Sequence, residues 1–338
     1  MAYKARFIFL CSILLVGWGC APKSANLQRS VVPPDQNLFE TGNNFLEKGQ
    51  YIRARLALQT MINTYPDSEM TADAYFAVAD TYYEEGGTTN WLQAEQQYKD
   101  FIIFFPANSK APDAQMKIIS LYRKMVGAPD RDQTPARRGE QESLKFLEMY
   151  PDHDYVPMVR RELDFFRDNL AQGEYGVADF YAKQKNYLAT AARFETILES
   201  YPHYFKTPEV LYRLADIYES TEQPDKAEEY LDRIASEYPF SDRYEDAKQK
   251  LTAMGKPVPD VDTELAEANK KSMRTPEGFS PLKPLDDFVK AIGFKGPPDI
   301  YAEAKEAIEQ EKAKTEGGEK AKTVPGEEGI NIEDVIKK

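Results

Sequence analysis

The chain has 338 residues, more than one ordinary domain needs. Its 56 acidic side chains outnumber 43 basic ones, and the formal net charge of −13 argues against a nucleic-acid binder, whose footprint is a basic patch. With two histidines and two cysteines, neither in a zinc-type spacing, no metal site or cofactor is expected.

Taken in order, residues 1–19 read as a secretory signal. Lys4 and Arg6 supply a positive start, and Phe7 to Trp18 is an apolar run too short for a comfortable membrane span. The run ends in Val16-Gly17-Trp18-Gly19-Cys20, which resembles a bacterial lipobox, although Gly17 stands where Leu is usual. Cys20 is therefore the expected lipidation site; Cys11, preceded by Leu10 inside the apolar run, is the poorer candidate. Several acyl chains on one cysteine anchor firmly where a single chain is marginal. Ala21 lacks the acid associated with inner-membrane retention, so the expected location is the periplasmic face of the outer membrane. Residues 20–34, with Pro33-Pro34, read as a short tether.

Residues 35–254 carry one unit five times. It is plainest from Thr207 to Pro239, where Leu211, Leu214, Ala215 and Tyr218 share one helical face. Pro224 suits the start of a second helix, whose stripe is Ala227, Leu231 and Ile234 before Tyr238-Pro239 ends it. The helix-turn-helix length and the pattern of large and small residues are those of a tetratricopeptide (TPR) repeat. Tyr65-Pro66, Phe105-Pro106, Tyr150-Pro151 and Tyr201-Pro202 close the other units. The third unit has a long polar connection, Gly127 to Gly139, expected as a surface loop. The wide spacing between Pro151 and Pro202 predicts an extra-long helix from Val156 to Lys185, with a bend near Gly173 and Gly176. The fold class is all-α, a TPR-like solenoid of about five repeats.

Residues 255–338 turn rich in Pro, Lys and Glu and are expected to be mostly disordered. Leu285 to Ile292 and Tyr301 to Ile308 are two short amphipathic exceptions. His153 and His203 both follow an aromatic-Pro turn, which suits a turn role better than a base or ligand. Without a nucleophile–base pair or a phosphate loop, the chain reads as a binding module, not an enzyme.

The lipobox, the acidic repeats and the stretch Leu170-Ala171-Gln172-Gly173-Glu174-Tyr175-Gly176-Val177-Ala178-Asp179-Phe180-Tyr181 together resemble the BamD family of outer-membrane β-barrel assembly lipoproteins. The family pattern has Tyr where Phe180 stands. The resemblance covers about residues 20–250. It implies that Arg193, with Phe180 and Tyr181 nearby, contacts the POTRA-bearing β-barrel scaffold protein, BamA in that family. It also implies that the N-terminal repeats present a groove to unfolded outer-membrane proteins and their C-terminal targeting segments. Groove-facing positions of the first helix of each repeat would be Phe39, Asn43 and Leu46, then Asp73, Phe76, Asp80 and Tyr83, then Met116, Arg123 and Lys124. An alternative within the same architecture is an envelope TPR lipoprotein serving pilus assembly or cell-wall coordination.

Overall fold

The computed structural model describes residues 32–273 and 299–320. Five antiparallel helix pairs follow one another: α1 (Pro34–Glu47) with α2 (Tyr51–Thr64), α3 (Thr71–Glu85) with α4 (Thr88–Phe104), α5 (Ala111–Met125) with α6 (Thr134–Met149), α7 (Val156–Lys183) with α8 (Tyr187–Ser200), and α9 (Thr207–Ser220) with α10 (Pro224–Glu237). Then come α11 (Tyr244–Ala253), α12 (Thr263–Ser272) and, after a gap in the description, α13 (Ile300–Lys320). The described residues contain no strand. The signal segment, Cys20 and the Leu285–Ile292 stretch lie outside the described residues.

The aromatic-Pro pairs set the stacking. Tyr65, Phe105, Tyr150, Tyr201 and Tyr238 each end the second helix of a pair with φ near −130° and ψ between 50° and 61°. The proline ring keeps the preceding residue out of the helical region, and the helix stops there. Each aromatic carbonyl then accepts the N–H three residues on, in a turn repeated five times (Ser68, Asn108, His153, Tyr204 and Ser241 as donors). Proline in the first turn of α1, α5, α6, α7, α9 and α10 starts the next helices where a missing N–H costs nothing. Within three pairs the turn itself is shared. Gly49, Lys185 and Glu222 adopt φ of 67°, 58° and 59°, and the next N–H reaches back to Phe45, Tyr181 and Tyr218, the Schellman arrangement.

Small residues mark the helix crossings. Ala215, Ala227, Leu211, Leu214, Leu231 and Ile234 are fully buried, in accord with the stripes of the fifth unit. In the first unit a Cβ on Gly42 would lie 2.6 Å from Leu58 Cγ, closer than carbon atoms can approach. Helix α7 belongs to two cores at once. Phe165, Phe166 and Leu170 complete the core of α3 to α6, and Ala171 and Ala178 open the core of α8 to α11.

The structure adds detail to three sequence expectations. The third connection is shorter than expected, residues 126–133: α6 begins at Thr134 with Pro135 in its first turn, and Gly139 is helical and faces Phe166. Helix α7 runs through Gly173 and Gly176 without a break, and Gly173 leaves room for the Gln133 side chain. The packed region also continues past residue 254. Asn269 of α12 donates to the carbonyl of Glu237 (3.2 Å) and the Asp262 N–H donates to that of Ser236 (3.0 Å), so end-of-helix carbonyls of α10 gain partners. Two described stretches of the tail form α12 and α13. The latter contains the Tyr301–Ile308 stretch and packs on α5.

Candidate functional site

Two surfaces gather the sequence-predicted residues, one at each end of α7. The first is a groove on α3, α5 and the N-terminal part of α7. Its apolar positions are mostly beneath the surface. Phe76 is buried edge-on against Tyr98 (5.6 Å) and Phe101 (5.3 Å), and Met116 is fully buried. Both fill space between helices: Phe76 of α3 packs onto α4, and Met116 of α5 lies in the same core. Phe39 is half-buried against the Leu58, Met61 and Val78 cluster, and Asn43 is half-buried on the same helix.

The polar positions do meet. Asp80 accepts from Tyr98 Oη and Lys117 Nζ, each at 2.6 Å. Arg123 pairs with Glu162 of α7 at 3.1 Å, its guanidinium 3.4 Å from the centre of the Phe165 ring. Burial pushes the Glu162 carboxyl up and Arg123 down, against the mutual attraction of the pair. Tyr83 is buried; its hydroxyl lies 2.9 Å from Ser120 Oγ and accepts from Lys124 Nζ at 2.8 Å. The groove is therefore lined by cations held over aromatic rings: Lys117 sits 4.8 Å from the centre of Tyr83, and Lys124 4.0 Å. Sequence reading missed Lys117 and Ser120. Both lie on the buried face of α5, so a lysine and a serine inside an apolar stripe were the available signal.

The groove is not empty. Asp299, just before α13, accepts from Tyr83 Oη (2.7 Å) and Lys124 Nζ (2.9 Å). Burial raises the Asp299 carboxyl, but Lys124 and Tyr83 outweigh it and hold the group below the usual carboxylate range.

The second surface lies on the C-terminal half of α7 and the start of α8. Phe180 is 58% exposed and Leu188 84%, with Val177 and Tyr187 also exposed. Phe180 and Tyr181 meet edge to face at 5.7 Å. Along this face runs an open cleft of about 1250 Å³, lined among others by Arg131, Glu174, Val177, Phe180, Tyr181 and Lys206. Arg193 of α8 donates to Glu174 at 2.9 Å, and its side chain remains 45% exposed. A cation, a carboxylate and exposed apolar rings in one patch are the ingredients of a protein interface.

The model of the YfiO family, described as an outer membrane lipoprotein family, matches residues 33–230. An outer membrane protein assembly factor BamD from Rickettsia prowazekii is 27% identical over 213 residues, covering 62% of this chain and 82% of that protein. The BamD of Caulobacter vibrioides is 25% identical over 186 residues, covering 55% of this chain and 60% of that protein. Among solved structures, a thermophilic TPR protein of Thermus thermophilus is 14% identical with a TM-score of 0.29, covering 65% of this chain and 97% of that one.

Proposed function

The chain belongs to the BamD family of outer membrane lipoproteins, and on that premise we propose that it is a non-enzymatic, lipid-anchored scaffold subunit that promotes insertion of β-barrel proteins into the outer membrane. Its two surfaces divide the work. The face of Phe180, Tyr181 and Arg193 binds the POTRA region of a β-barrel scaffold protein. The groove of α3 and α5 receives segments of unfolded outer-membrane proteins. Cys20 carries the lipid that holds the chain on the periplasmic face.

The observation that carries this reading is the exposed patch beside the Arg193–Glu174 pair. Large apolar side chains such as Leu188 and Phe180 gain little by standing in water, and a partner would cover them. The pair contributes little to folding, because half-exposed ion pairs are worth about 0–1 kcal/mol. Its charges are available to a partner, where they would set orientation and on-rate.

The test is affinity purification of the intact chain from detergent-solubilised envelopes. Wild type should bring down a POTRA-bearing barrel protein in stoichiometric amount. Arg193→Glu should reduce that recovery tenfold or more while leaving helix content unchanged. Recovery of pilus or cell-wall proteins instead would refute the assembly reading, and undiminished recovery would refute the role of Arg193. Cys20→Ala should move the chain to the soluble periplasmic fraction.

A further inference from the structure

The groove described above holds a segment of the chain's own tail, and the contacts are specific in chemistry. Asp299 uses its two carboxylate oxygens differently. Oδ1 accepts from the N–H groups of Tyr301 (3.2 Å) and Ala302 (3.3 Å) and so caps α13. Oδ2 accepts from Tyr83 Oη and Lys124 Nζ, and Ser120 Oγ lies 3.4 Å from Oδ1. Ile300 and Ala304, one turn apart, are buried among residues of the α3–α7 core. Tyr301 meets Tyr155 edge to face at 6.2 Å, and Lys117 Nζ lies 4.8 Å from the centre of its ring.

The charge pattern of the groove explains why an acid sits there. Lys117 and Arg123 are paired within the array, by Asp80 and Glu162. Lys124 finds its carboxylate on the tail. Lys124 is mostly covered and Tyr83 is buried. Taking Asp299 away would leave an ammonium and a phenol hydroxyl facing a half-enclosed site, which costs free energy unless another carboxylate or water replaces it. The site is thus a receptor for an acid placed beside an aliphatic and an aromatic side chain.

The seat is also small. Apolar contact with the array falls on Ile300, Tyr301, Ala304 and Ile308, and the side chains of Glu309 and Gln310 are exposed. Residues 274–298 join this segment to α12, so the occupant belongs to the same chain as the groove. A segment held so lightly is displaceable by a competitor.

We propose that Asp299–Ile308 is a built-in occupant of the groove, and that the groove opens to an outside polypeptide when a segment with the same acid–aliphatic–aromatic chemistry displaces it. This rests on the groove reading given under Proposed function and adds a competitor to it. The tail sets a threshold: weak or partial matches stay outside, because they must outbid a ligand that is always present.

The test uses the full-length, detergent-solubilised chain and a fluorescein-labelled peptide of residues 299–312. Wild type should bind this peptide weakly. The double variant Asp299→Ala, Tyr301→Ala, whose own tail lets go, should bind it at least tenfold more tightly. Adding Lys124→Met to that variant should remove the gain. Equal binding by wild type and double variant, binding by neither, or a gain indifferent to Lys124→Met would each overturn the proposal. A second measurement separates it from the reading beneath it. Capture of a urea-solubilised β-barrel protein by crosslinking should also rise in the double variant. A gain for the tail peptide with unchanged barrel capture would leave the internal occupant standing and refute the groove as the site for unfolded substrates.

Discussion

Gly139 tests the packing that holds α7 in place. It lies in the middle of α6, where glycine is the poorest ordinary choice; by helix propensity alone, Gly139→Ala should stabilise by about 1 kcal/mol. The structure argues the reverse. A Cβ at this position would lie 2.7 Å from Cε2 of Phe166 and closer still to Cε1 and Cζ. Ordinary carbon contacts begin near 3.5 Å, so the ring would have to retreat by roughly an ångström. Phe166 is fully buried and has no open side to retreat into. Overpacking of this kind costs about 1–3 kcal/mol, which leaves a net loss of about 0–2 kcal/mol after the propensity gain. The urea midpoint, followed by far-ultraviolet circular dichroism, should fall. The partner variant Phe166→Leu, destabilising alone, should lose less in the Gly139→Ala background, with a coupling of about 1 kcal/mol in a double-mutant cycle. A raised midpoint for Gly139→Ala, or strict additivity with Phe166→Leu, would refute the packing argument.

The other expectations concern separate sites. Glu222 holds a left-handed turn at φ 59° that Gly49 fills in the first pair, so Glu222→Gly should stabilise by up to about 1 kcal/mol, against the usual effect of adding glycine; a lowered melting temperature would contradict this. Ala227→Leu should cost about 1–3 kcal/mol, because its site at the α9–α10 crossing is fully buried, and a neutral effect would show the crossing to be looser than described. Asp168 is 6% exposed; burial, with help from Asp164, pushes its carboxyl up to about 7 against the acceptance of the Phe205 N–H. The native state then keeps a proton that the unfolded chain releases near pH 4, so stability should fall as pH rises from about 4 to 7 and stay low above that. Asp168→Asn, which can still accept from Phe205, should flatten this slope and gain about 1–4 kcal/mol at pH 8; an unchanged difference between urea midpoints at pH 5 and pH 8 would rule it out.

The repeats were legible because their signals are local. Aromatic-Pro pairs, first-turn prolines and small residues at crossings each act within a few positions; the aromatic-Pro pair closes all five units, and a first-turn proline starts a helix in four of them. The glycines misled where their reason was tertiary. Gly173 and Gly139 read as bend and loop, but each makes room for a side chain from elsewhere, Gln133 and Phe166. The groove was legible in its polar members and not in its apolar ones. A register shift of one helical position separates a surface ring from a buried one, and Phe76 and Met116 fell on the buried side. The role of the tail could not be read locally at all. Asp299 and Lys124 are 175 positions apart, and nothing in the composition of either neighbourhood announces the other.

Helix α7 has a consequence for how the two surfaces are used. At 28 residues it is a rod of about 40 Å, packed into both cores along its length. Glu162, which orders Arg123 in the groove, and Glu174, which holds Arg193 on the exposed face, stand on this one rod about 18 Å apart. A continuous helix braced on both sides changes length very little, so it works as a ruler. On the proposed function, an occupant of the groove would be presented to a partner on the far face at a distance that the helix fixes before either arrives.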